Sequence, residues 1–122
     1  MKTVSLKYAA QLKANGFPQA HRECWFWYKT DEWKLWFSQF NDDFSLYEEK
    51  DFCMSPTADE ILDILPNRLG KEKRKGLLEI DKTTAKNYCV MYTFIKSVNS
   101  NSLADALARM WLYLKEKDLL RA

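Results

Sequence analysis

The chain has 122 residues, of which 47% are hydrophobic and 30% are charged, and its formal net charge is +2. That length supports a single domain, residues 1–122, with a core that needs no disulfide or metal, and so small a net charge argues neither for nor against nucleic acid as a partner. No apolar run approaches the roughly 20 residues that cross a bilayer, and widely spaced cysteines without a CxxC pair suit a reducing compartment. We therefore expect a cytoplasmic domain with no membrane partner.

The first predicted element is a helix from Ser5 to Asn15. Gly16 follows where a helix often ends in the left-handed conformation, and Phe17 is then placed to contact Leu12, as in a Schellman motif. Pro18 cannot continue the helix. The end of this helix is therefore specified locally.

Two runs of β-forming, aromatic residues come next. Cys24–Tyr28 and Trp33–Phe37 flank the polar residues Lys29–Glu32 and predict a β-hairpin. Aromatic side chains alternate onto both faces, so the pattern does not show which face is buried. A further short strand is expected at Phe44–Tyr47.

A short second helix is predicted in the middle of the chain. Thr57 and Glu60 have the spacing of a complete capping box, and Pro66 ends the helix near Leu65. A second hairpin is then predicted from Gly76–Asp81 and Tyr88–Phe94. The apolar side chains of its second strand share one face: Tyr88, Val90, Tyr92 and Phe94. A polar segment, residues 97–101, leads into the last helix.

The last helix is predicted from Ser102 to about Lys117. Ser102 and Asp105 have the form of a capping box, although Asp is shorter than the usual Glu. One face carries an apolar stripe: Leu103, Leu107, Met110, Trp111 and Leu114. Leu112 falls on the polar side, and it is either an ordinary exposed leucine or part of a partner contact.

The order α-ββ-α-ββ-α predicts the α+β class. It favours an antiparallel sheet built from two β-hairpins with about three helices, which cover one face of the sheet. The other face of such a sheet is solvated or available to a partner.

No group of residues indicates catalysis. His21 and Cys24 have a metal-like spacing, and Cys53 and Cys89 complete a zinc set by count, but structural zinc ligands usually come in two close pairs. Buried free cysteines are the favoured interpretation. His21 is the only histidine, and no glycine-rich phosphate loop is present. We expect no catalytic residue, no metal and no cofactor, and thus a protein that is not an enzyme.

The aromatic hairpin is the favoured candidate for a functional surface, because exposed Trp and Tyr side chains are typical interface anchors. The alternative is that helices cover both faces and every ring is core. The candidate partner-binding residues are Trp25, Trp27, Trp33, Trp36 and Leu112.

A basic connector provides the second candidate surface, for nucleic acid. Its cations can follow a phosphate backbone while bases stack on nearby rings. The alternative is a solvated loop, since Glu72 interrupts the run. The residues concerned are Arg68, Lys71, Lys73, Arg74 and Lys75.

Three stretches resemble one family of small proteins. They are LKANGFPQ at Leu12–Gln19, SPTADEILDILP at Ser55–Pro66 and SLADALARMWLYLKEKDLL at Ser102–Leu120. The chain is similar in these stretches to uncharacterised proteins of bacteriophages and integrated elements, especially of gut Bacteroidetes. The order Met110–Leu114 departs slightly from the closing pattern of that family. The resemblance implies a phage or mobile-element context and no catalytic residues.

The sequence therefore favours a phage-type binding protein that acts through protein–protein contacts. Its partner is either an unidentified protein or a second copy, which would make a homodimer. The alternative is a nucleic-acid-associated accessory protein that uses the basic connector, residues 68–75.

Overall fold

A computed structural model of the protein describes residues 3–19, 24–38, 48–70, 76–84 and 86–120. Its elements, in chain order, are α1 (Leu6–Ala14), β1 (Cys24–Lys29), β2 (Trp33–Ser38), a 3-10 turn (Glu49–Asp51), β3 (Phe52–Met54), α2 (Ala58–Leu62), β4 (Leu78–Thr84), β5 (Asn87–Tyr92), β6 (Lys96–Ser100) and α3 (Leu103–Glu116). The α+β class is confirmed. None of the helices in the described ranges is long and apolar enough to cross a membrane.

The two hairpins lie in two separate antiparallel sheets, with strand orders β2-β1-β3 and β4-β5-β6. Each hairpin thus gains a third strand that the sequence pattern did not predict. β3 has only three residues, too few to show a period, and β6 carries a single large apolar side chain, Val98, between polar neighbours. The predicted strand at Phe44–Tyr47 lies outside the described residues.

Both faces of the first sheet contribute to buried clusters. Phe26 on β1 pairs with Trp36 on β2 and with Met54 on β3, and this face forms a small cluster around Phe26. Trp27 and Cys53, on the opposite face, pack with the main core. The alternation of aromatic residues onto both faces therefore reflects burial on both sides.

Two of the three local helix signals in the sequence are confirmed in full. Phe17 N donates to Leu12 O at 2.9 Å, and Gly16 has a φ of +87°, so α1 ends in a Schellman motif. At the start of α2, Glu60 N donates to the Thr57 hydroxyl at 3.3 Å and Thr57 N donates to the Glu60 carboxylate at 3.0 Å. Each signal needs only residues a few positions apart, which is why the sequence specified it.

Helix α3 is the centre of the main core. It packs against β5, β6, α1 and α2, and its buried residues are Ala104, Ala106, Leu107, Ala108, Met110, Trp111 and Leu114. The β5–β6 side of this contact supplies Val90, Tyr92 and Val98. Tyr92 is fully buried, and its hydroxyl donates to Pro66 O at 2.6 Å, which satisfies the polar end of a core ring.

The capping box predicted for α3 forms only in part. Asp105 N donates to the Ser102 hydroxyl at 3.3 Å, as expected. The Asp105 carboxylate does not complete the box: Ser102 N donates to the Ser100 hydroxyl at 3.2 Å, and Asp105 Oδ1 accepts from Ser5 N at 2.7 Å. The short aspartate side chain thus links α3 to the start of α1.

Phe94 does not lie on β5, where the sequence pattern placed it. The strand ends at Tyr92, and Thr93–Ile95 form the turn to β6. Phe94 has a φ of +59° and is 84% exposed. A bulky residue in this left-handed region is uncommon, because its Cβ crowds the backbone.

Candidate interaction surfaces

Trp27 holds the N-terminal segment in place. Its indole Nε1 donates to Val4 O at 3.0 Å, and Ser55 Oγ donates to the same carbonyl. Val4 is fully buried, and the Trp27 ring packs against the main core. The contacts of Trp27, which is one of the predicted partner-binding residues, therefore stabilise the fold.

The other predicted rings of the hairpin are partly or largely accessible. Trp25 is half-buried, with its ring centroid 5.2 Å from that of Phe37. Trp33 is also half-buried, and Trp36 is 42% exposed, with its ring edge-on to Tyr28 at 6.0 Å between centroids. Trp36, on β2, is thus the most accessible ring of the hairpin.

Strand β2 is an edge strand with apolar side chains exposed on both faces. No described strand pairs with its outer edge. Leu35 is 38% exposed on one face and Trp36 is 42% exposed on the other, and only Lys34 adds a charge. The ladder to β1 runs without a register shift from Lys29–Trp33 to Cys24–Ser38.

The edge strand β4 of the second sheet differs from β2 in its charges and in its register. It carries the charges Glu79, Asp81 and Lys82, and its register shifts between Lys82 and Thr84. Charges and register irregularities are devices that keep an edge from pairing with another chain. By this comparison, β2 is less protected than β4.

A cleft of about 440 Å³ lies beside β2. Its lining residues come from α1, the start of β2, the 3-10 turn and β3: Ala10, Lys13, Ala14, Trp33, Lys50, Phe52 and Cys53. Lys13 Nζ donates to Phe52 O at 2.6 Å and lies 4.4 Å from the centroid of the Phe52 ring. The hydrophobic periodicity did not indicate this cleft, because its lining residues come from three stretches that are distant in sequence: residues 10–14, residue 33 and residues 50–53.

Cys53 lies on the inner wall of the cleft and is 3% exposed. Burial raises the pKa of its thiol to about 11, although the Lys13 ammonium acts in the opposite direction. The thiol is therefore protonated at neutral pH, and it is neither a nucleophile nor a metal ligand in that state.

Leu112 is half-buried and packs against the main core. It lines a shallow cleft of about 260 Å³ between α1, β6 and α3, together with Tyr8, Val98 and Tyr113. The structure thus places Leu112 apart from the hairpin residues, on a different element and in a different cleft.

The basic connector falls mostly outside the described residues, which include Arg68 but not residues 71–75. The two ends of this segment are joined. Leu69 N donates to Gly76 O at 2.7 Å, and Arg68 forms an antiparallel bridge with Leu77.

The Thr93–Ile95 turn adjoins these ends. Gly76 N donates to Thr93 O at 2.8 Å, and Thr93 N donates to Leu77 O at 3.0 Å. This places the turn that carries Phe94 next to Leu77, which is also exposed. Sequence reasoning missed this exposed ring because Phe94 continues the apolar alternation of β5.

The zinc set considered from the sequence includes His21, which lies outside the described residues. Among the residues with described positions, no group of three or more His, Cys, Asp or Glu side chains is arranged to hold a metal ion. Cys24 and Cys53 are buried and Cys89 is half-buried, and none of the three forms a disulfide bond.

Comparison of the chain with protein-family models, with curated proteins and with solved structures gives no match in any of the three.

Proposed function

We propose that this protein is a binding protein of a phage or mobile element that acts through protein–protein contact at the β2 edge. The observation that supports this proposal is the exposure of Leu35 and Trp36 on the two faces of an edge strand with an unbroken register. An edge of this kind presents a row of backbone N–H and C=O groups to an incoming strand. Addition of an extended segment satisfies these groups, and the exposed side chains supply the apolar contact.

A second copy of the chain is the simplest partner. Two β2 strands related by a two-fold axis present the same row of donors and acceptors to each other, so an antiparallel pairing is self-complementary. A segment of another protein would use the same backbone groups. In both cases the interface consists of backbone hydrogen bonds and apolar contacts, so the interaction depends little on salt.

The test compares two lysine substitutions at matched positions. Leu35→Lys places a charge on the proposed edge, and Ile80→Lys places one at the 39% exposed Ile80 of the other edge strand, β4. We expect light scattering to show a salt-resistant dimer that Leu35→Lys abolishes and Ile80→Lys retains. If the protein is a monomer, the two variants are used as bait in host extract, and we expect a bound protein to be lost only with Leu35→Lys. Identical behaviour of the two variants in both measurements would refute the proposal.

Binding of nucleic acid is the second candidate, favoured by the position of Phe94. Its exposed ring lies in the turn that is hydrogen-bonded to Gly76 and Leu77, where the basic connector ends. A base can stack on such a ring while the connector's cations contact phosphates. We expect anisotropy measurements with labelled single-stranded DNA to show binding that falls steeply with salt and weakens in Phe94→Ser. No binding at low salt, or equal binding by Phe94→Ser, would exclude this candidate.

A further inference from the structure

The hydrogen bonds of the first sheet show which backbone groups of β2 point away from β1. Ser55 N donates to Trp25 O at 2.8 Å, so the backbone groups of Trp25 face β3 and those of the next residue, Phe26, face β2. At the hairpin turn, Thr30 N donates to Glu32 O at 3.4 Å, which fits the same alternation. The residues of β2 whose backbone groups face β1 are therefore Lys34, Trp36 and Ser38.

The outer edge of β2 presents the backbone groups of the alternate residues, Trp33, Leu35 and Phe37. In the described part of the chain, no strand lies beyond this edge and none of these outward N–H and C=O groups has a hydrogen bond. The side chains of the three residues share one face of the sheet. Lys34 and Trp36 lie on the other face, and both are exposed.

We propose that the partner at the β2 edge is a second copy of the chain, paired antiparallel so that Leu35 lies opposite Leu35 of the second copy. This inference rests on the proposed function and specifies its partner and its register. A two-fold axis at the Leu35 pair sets Trp33 of each copy opposite Phe37 of the other. All the outward backbone groups then meet in three hydrogen-bonded pairs, and since each such pair exchanges two bonds, the interface has about six.

The side chains of this register are complementary on both faces of the joined sheet. On one face, a Trp33–Phe37 pair lies on each side of the two leucines, and aromatic pairs of this kind stabilise neighbouring strands. On the other face, Lys34 lies opposite Trp36 of the second copy, which places an ammonium beside an indole ring. The two lysines are not directly opposite each other, so their repulsion is reduced.

The neighbouring two-fold registers are less favourable. A pairing centred on Lys34 sets two lysines directly opposite each other and places Phe37 against the hairpin turn of the second copy. A pairing centred on Trp36 places Trp33 beyond the end of β2 in the second copy. Each of these registers keeps two of the three hydrogen-bonded pairs, so the Leu35 register satisfies the most backbone groups.

Disulfide crosslinking measures the register directly. Directly opposite residues have Cα atoms about 4.5–5.5 Å apart, within the reach of a disulfide, whereas diagonal neighbours are about 7–8 Å apart. The single variants are Leu35→Cys, Lys34→Cys and Trp36→Cys, with Ile80→Cys on the β4 edge as the matched control. All carry Cys89→Ser, which removes the half-buried native thiol.

After mild oxidation with oxidised glutathione, we expect only Leu35→Cys to double its mass on a non-reducing gel. A mixture of Lys34→Cys and Trp36→Cys should also form a crosslinked dimer, although neither variant does so alone. This mixture leaves Leu35 in place, so it decides the register if Leu35→Cys fails to fold. Crosslinking of Ile80→Cys to the same extent as Leu35→Cys would mean random collision and would overturn the proposal.

The other outcomes separate the register from the proposed function. Self-crosslinking of Lys34→Cys or Trp36→Cys in place of Leu35→Cys would overturn the register and leave the β2 contact standing. If no variant crosslinks and light scattering shows a monomer, the second copy is not the partner, and the extract experiment with Leu35→Lys still tests the edge. A dimer that persists in Leu35→Lys and crosslinks at none of the β2 positions would overturn both.

Discussion

The backbone N–H of Ser5 donates a hydrogen bond of 2.7 Å to the carboxylate of Asp105, a residue one hundred positions further along the chain. Ser5 is the N-cap residue of α1, whose side chain makes no capping bond, and Asp105 lies in the first turn of α3. One carboxylate therefore stands close to the N-terminal ends of two helices. Both helix dipoles favour a negative charge there.

Asp105→Ala should lower the free energy of unfolding by about 1–2 kcal/mol, because it removes a charge-assisted bond and the anion near two helix N-termini. Urea denaturation of the purified variant measures this. Glu116→Ala is the matched control, since Glu116 is exposed in the last turn of the same helix and its loss should cost nothing. Equal effects of the two substitutions would show that the Ser5 contact contributes little.

Gly16→Ala and Gly76→Ala should differ in their effects on stability, although both positions have positive φ. A methyl group at Gly16 meets open space, so only the backbone penalty of about 1 kcal/mol is expected. A Cβ at Gly76 would lie 2.0 Å from Leu69 O, so the Leu69–Gly76 hydrogen bond must break or shift. We expect the larger loss at Gly76 in thermal denaturation, and equal losses would contradict the close approach of these two residues.

Trp27→Phe should destabilise the protein, whereas Trp36→Ser should change its stability little. The first substitution removes one of the two donors to the buried Val4 carbonyl, which keeps its bond from Ser55, and it reduces the core packing, at a cost of about 1–2 kcal/mol. Trp36 is more exposed and packs on Tyr28 alone among the ring contacts described. Chemical denaturation of the pair checks this, and a more destabilising Trp36→Ser would assign Trp36 to the core.

The stability of the protein should fall as the pH rises above about 9. Burial raises the pKa of Cys53 from 9.0 to about 11 and that of Tyr92 from 10.0 to about 12. The folded state therefore keeps protons that the unfolded state releases, so these two groups leave the free energy of unfolding unchanged below pH 9 and decrease it between pH 9 and 12. The cost is about 1.4 kcal/mol for each pKa unit of difference.

Two substitutions test whether the Cys53 thiol and the Tyr92 hydroxyl cause this pH dependence. In Cys53→Ala the decrease should be smaller from pH 9 to 11, and in Tyr92→Phe it should be smaller from pH 10 to 12. The slope of unfolding free energy against pH is the quantity to compare, because each substitution also changes the stability at neutral pH. If both variants show the same slope as the unmodified protein, neither Cys53 nor Tyr92 causes the loss of stability at high pH.

Phe94→Asn should leave the stability unchanged or raise it by up to about 1 kcal/mol, because Asn tolerates the left-handed conformation better than a bulky residue. The ring is 84% exposed, so little packing is lost. Calorimetry measures the change in Tm. A clear decrease would show that the Phe94 ring stabilises the fold, and the ring would then be a weaker candidate for a binding contact.

The sequence by itself determined the features that depend on residues close together in the chain. The end of α1 at Gly16 and Phe17, the capping box of Thr57 and Glu60, and the two β-hairpins were all predicted. All the hydrogen-bonding groups of a Schellman motif or a capping box lie within six residues of each other, so a short stretch of sequence is enough to predict the motif. The α+β class follows from the order of these elements.

Only the tertiary structure decided which elements meet. The two hairpins lie in separate sheets, and β3 pairs with β1. The Trp27 ring packs against the core, whereas Trp36 is exposed at the surface. The same aromatic alternation is compatible with either face being buried, because burial depends on what packs against the sheet from distant parts of the chain. The link between Ser5 and Asp105 and the cleft beside Trp33 arise in the same way, from side chains that only the folded chain brings within reach.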